Sequence, residues 1–189
     1  MVITLAAVAW AASRRGAPQA PLMANAGNAP GGVPTGASPS LGPAPDISNM
    51  SPLEQFNRLD TRINQAMQRG DTSTVITFTP MALGAYANLP PGDRGVDVRF
   101  RTAMLETQVG MFAQARALTD TIMTESPDNL LGYYARAMIG QVSGDSAAAR
   151  SARAAFMSHY DAEIKKTRPE YAQNRDALDQ FRTAAGTRP

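Results

Sequence analysis

The chain has 189 residues with 18 basic and 16 acidic side chains, room for one ordinary domain and a tail. It contains no Cys and one His, His159, which excludes disulfides, thiolate metal sites and a multi-histidine metal site within one chain. Only Arg14, Arg15 and Asp46 are charged before residue 51. The remainder is balanced and lacks the massed cations of a nucleic-acid-binding face.

Residues 2–12 are apolar except for Thr4, and Arg14-Arg15 follow. The run is shorter than the roughly 20 residues that span a bilayer. It also lacks the basic start of a secretory signal. It reads as a partial membrane anchor or signal remnant over residues 1–13, with Trp10 and the Arg pair suited to the membrane–water boundary. The alternative is an unstructured Ala-rich N-terminus. Cations directly after the run favour a cytoplasmic domain by the positive-inside tendency, though charge further upstream would reverse that. Membrane association is therefore expected, with its side open.

Twenty of residues 16–45 are Gly, Ala or Pro and none is charged. Such a composition cannot bury enough surface to offset its ordering entropy, so residues 14–50 read as a disordered linker. A flexible coil of that size reaches about 30 Å.

Ser51-Pro52-Leu53-Glu54 has the form of a capping box with Pro at the first helical position. Leu53, Phe56, Leu59, Ile63 and Met67 make one apolar stripe up to a Gly70 stop. A second helix is expected over 72–88, kinked or restarted at Pro80. Val75–Thr79 also has strand-like composition, but the helices around it argue against a strand, which would have nothing to pair with. Pro90-Pro91-Gly92-Asp93 breaks the chain. Helices then follow at 96–109, ended by Gly110; 112–124, stopped by Ser126-Pro127-Asp128; 130–142, ended by Gly144; 146–166, capped by Asp145 or Ser146; and 169–185, opened by Pro169. The total is seven helices.

Gly110, Phe112, Ala115 and Pro127 form a pattern whose turn recurs 34 residues later at Gly144, Asp145 and Ala148-Ala149. From Ser51 onward the chain resembles a tetratricopeptide (TPR) array. Tyr133 stands at the early aromatic position, Ala103 and Ala137 at the small crossing position, and Ala115 and Ala149 at the small position of the second helix. Arg99 replaces an early aromatic, Glu106 and Gly140 replace the usual Tyr, and the Gly70 turn lies 40 rather than 34 residues before Gly110. The resemblance implies an all-α stack of three hairpins plus a C-terminal capping helix over residues 51–189.

It also implies a non-enzymatic scaffold that holds a partner polypeptide in a groove lined by the first helix of each hairpin. Carrying that phase over places Asn57, Asp60, Asn64, Arg101, Met104, Gln108, Leu131, Tyr134, Met138 and Gln141 there. The groove lacks the several cations of carboxylate-clamping TPRs. The alternative is an accessory subunit stabilising a membrane complex, or an envelope or cytochrome assembly factor. No cofactor, metal or nucleic acid is expected. His159-Tyr160-Asp161 cannot form a triad, because consecutive helical residues point about 100° apart.

Overall fold

The computed structural model describes residues 49–186, all within one compact unit, Pro39–Pro189. The apolar segment at 1–13, and the 14–50 linker apart from its last two residues, lie outside them. All regular secondary structure among the described residues is helical, with eight α-helices, two short 3-10 turns and no strand.

Helix α1 (Pro52–Arg69) starts at the expected box. The Ser51 hydroxyl accepts from the Glu54 amide, and the Glu54 carboxylate takes the Ser51 N–H at 2.8 Å. This pairing satisfies two amides that would otherwise be orphaned. Phe56, Leu59 and Ile63 of the predicted stripe are fully buried, each contributing about 2 kcal/mol, while Leu53 and Met67 at its ends are partly buried; Ala66 beside them is fully buried too. Helix α2 (Thr72–Ala87) runs through Pro80 without a restart, and the strand reading of 75–79 does not hold.

Next come α3 (Val96–Gln108), α4 (Phe112–Glu125), α5 (Leu130–Ser143) and α6 (Ser146–Glu163). The α1–α2, α3–α4 and α5–α6 pairs are three helical hairpins. Each turns at a glycine in the left-handed region: Gly70 at φ 71°, Gly110 at 79° and Gly144 at 84°. That conformation strains any residue with a Cβ, so the sequence marks all three turns. Asp71 and Asp145 follow their glycines and each caps the next helix, accepting at 3.0 Å from the Thr74 and Ala148 amides.

The extra six residues before Gly110 are accounted for. Helix α2 has 16 residues against 14 in α4. The connection 88–95, with its 3-10 turn at Pro91–Asp93, is four residues longer than 126–129.

Small residues let the helices cross closely. Ala103, Ala115, Ala137 and Ala149 are buried as expected. At Gly140 an added Cβ would lie 2.7 Å from the Ala149 nitrogen. Only glycine fits this crossing.

Two boundaries differ from expectation. Helix α6 ends at Glu163, and residues Ile164–Lys166 tighten into a 3-10 turn. The single helix predicted over 169–185 is two, α7 (Pro169–Gln173) and α8 (Arg175–Gly186), interrupted at Asn174. There the Asn174 amide reaches Asp97 of α3 at 2.8 Å, while also donating to the Glu170 carbonyl. The break thus coincides with a contact to a residue 77 positions away.

Candidate functional site

The predicted groove residues separate into two groups. The polar group gathers around Arg101 on α3. Its guanidinium donates to Asn57 Oδ1 at 2.9 Å, Asp60 Oδ2 at 3.2 Å and Asp97 Oδ2 at 2.9 Å. It also lies over the Phe56 ring, 5.0 Å from its centre. Asp60 is buried. Burial pushes its carboxyl up, and the Arg101 charge and the Asn64 amide pull against that rise. With Asn174 on Asp97, the network ties α1, α3 and the α7–α8 joint together. Arg101, Asn57 and Asp60 are therefore engaged with one another. Asn64 and Gln108 present exposed amides. Gln141 is also exposed and takes a hydrogen bond from Arg153 of α6.

The apolar group is largely closed off. Leu131 is fully buried and Met138 nearly so. Met104 and Tyr134 pack against the same core. Phe181 of α8 stacks on Tyr134 with ring centres 4.4 Å apart and meets Phe156 edge-on at 4.8 Å. Phe100 adds a third ring to Tyr134 at 5.5 Å. Helix α8 thus covers the part of the face that α5 was expected to offer. The accessible remainder is an amide-rich surface.

A second polar cluster lies where α7 meets the α4–α5 connection, and the sequence reading did not include it. The Tyr171 phenol accepts from the Leu130 amide at 3.1 Å and donates to Glu163 Oε2 at 2.9 Å. Glu163 is almost completely buried, and Lys166 and Arg168 pair with it. Asn129, fully buried, caps α5 by accepting from the Leu131 amide and donates to Ser126 and Glu170. Glu163, Tyr171 and Asn129 all have hydrogen-bond partners, which favours a buried polar network, while the enclosed Arg168 Nε makes only the ion pair to Glu163. Its only sequence signals were Pro169 and the Ser126-Pro127-Asp128 stop.

Glu106 has no such company. It is 8% exposed, and its Oε2 is enclosed without a hydrogen-bond partner. Burial alone pushes its carboxyl up to about 7.

His159 stacks on Tyr133 at 5.4 Å and lies 3.6 Å from Asp128. Among the described residues no group of three or more His, Asp or Glu is arranged to hold a metal ion. Nor is any of their helices long and apolar enough to cross a membrane. An open cleft of about 640 Å³ runs along α1, lined by Glu54, Asn57, Arg58, Thr61, Arg62 and Gln65.

Compared with known protein families, curated proteins and solved structures, the chain matches none.

Proposed function

We propose that the chain is a non-enzymatic, TPR-like scaffold that holds a partner polypeptide along the first helices of its hairpins, tethered to a membrane through its N-terminal segment. The observation that carries this reading is the threefold recurrence of one turn, a left-handed glycine followed by a helix, at Gly70, Gly110 and Gly144. Repeated hairpins stack because each alone leaves an apolar face unburied, and stacking creates an extended surface rather than a closed pocket. On that surface Asn64, Gln108 and Gln141 are exposed amides. Each amide both donates and accepts hydrogen bonds, which suits a peptide backbone.

Photo-crosslinking tests it. A photoreactive residue at Asn64 or Gln108 of the full chain should give adducts to one and the same polypeptide. The same residue at Gln114, exposed on α4, should not. Equal labelling from all three positions, or none, would end this reading.

A second reading has one observation in its favour. Helix α2 contains no charged residue and exposes Ile76 at 64% and Met81 at 41%. An accessory subunit of a membrane complex would use such a face laterally. Mild-detergent purification separates the two: a fixed stoichiometric complex lost on Ile76→Glu supports the subunit, and a monomer opposes it.

A further inference from the structure

Helices α1 and α2 pack closely on each other and meet the rest of the chain chiefly through α3. Leu105 enters the core that these three helices share, beside Phe56, Ile63, Phe78 and Leu89. The next residue, Glu106, is buried with one carboxyl oxygen unpartnered, and its charge is felt by the Tyr86 phenol of α2 across that joint. An ionised carboxylate with one oxygen so enclosed forfeits hydration there and gains no hydrogen bond at that oxygen, whereas a neutral one loses far less.

The neighbouring charges are committed elsewhere. From α2 the Tyr86 phenol is within electrostatic reach of Glu106. Arg94 lies over the Tyr86 ring. Arg99 of α3 pairs with Glu125 of α4. Arg101, also on α3, is held by Asp60 and Asp97. No cation acts to lower the Glu106 carboxyl.

We propose that Glu106 makes the joint between the first and second hairpins a pH-sensitive clasp, closed while its carboxyl is neutral and loosened when it ionises. When the joint opens, water reaches the carboxylate and the penalty disappears, so rising pH favours the open form. Arg101 bridges α1 and α3 through Asn57 and Asp60, so loosening the joint also moves Asn64 relative to Gln108. The clasp operates whatever occupies that face.

Hydrogen exchange on the full chain reads it directly, with rates corrected for intrinsic pH dependence. Between pH 6 and 8 the opening of α1 and α2 should increase roughly tenfold relative to α5 and α6, the factor expected for a carboxyl moved from 4.5 to about 7. Glu106→Gln should abolish the difference. An equal change in all helices, or the same rise in Glu106→Gln, would overturn the clasp. A wild-type measurement stands beside the variant: the Glu106 carboxyl carbon, followed by NMR, should titrate near 7. A midpoint below 5 would overturn it equally.

Discussion

Two joints in this domain each bury a glutamate, and they treat it in opposite ways. Where α7 meets the α5–α6 hairpin, Glu163 accepts from Tyr171 and pairs with Lys166 and Arg168. Where the first hairpin meets α3, Glu106 has an enclosed oxygen with no partner. The C-terminal joint is locked by electrostatics, and the N-terminal joint is weakened by them. Burial by itself is therefore not a measure of how much a residue stabilises. The partners decide the sign.

Variants that break the locked joint should cost the most. Phe181→Ala removes the ring that covers Tyr134 and Phe156, and chemical denaturation should show a loss of about 3–4 kcal/mol. Glu163→Ala strands Tyr171 and two cations, at about 3 kcal/mol. Tyr171→Phe loses both bonds of the phenol, one of them to the Leu130 amide, for roughly 1–2 kcal/mol.

At the weak joint the direction reverses. Because burial raises the folded-state carboxyl of Glu106 above the ordinary glutamate value of 4.5, the folded state holds the proton more tightly than the unfolded chain. Stability therefore falls as pH rises from about 4.5 to about 7, and is level above. Glu106→Gln should raise stability at pH 8 by on the order of 2 kcal/mol and leave it nearly unchanged at pH 4.5. The smallest effect belongs to the exposed α2 face. Ile76→Ser should shift stability by under about 0.5 kcal/mol, measured by thermal unfolding.

How far each joint was legible in the sequence follows from the range of its determinants. The three hairpin turns were legible because Gly70, Gly110 and Gly144 act on their own backbone. The capping box at Ser51 and the α1 stripe were legible for the same reason. The break at Asn174 and the Asn129–Glu170–Tyr171–Glu163 cluster depend on partners up to 77 residues away, and periodicity carries no trace of them. The predicted groove was read by helical phase from the TPR resemblance. Of the residues that phase put on one face, Asn57 and Asp60 both accept hydrogen bonds from Arg101. Phase could not anticipate that α8 folds back over Tyr134, nor that Leu131 is enclosed. Glu106 and Gly140 stood out as departures from the family pattern. At Gly140 the reason is a backbone crossing; at Glu106 it is a buried acid whose consequence emerges only when its surroundings are known.

The contrast between the two joints is tested most directly by denaturation of the full chain from pH 5 to 8, wild type beside Glu106→Gln. Wild-type stability should decline toward pH 7 and then level off, while the variant stays flat and lies above it at pH 8. A wild-type profile without that decline, or a variant that reproduces it, would contradict the account.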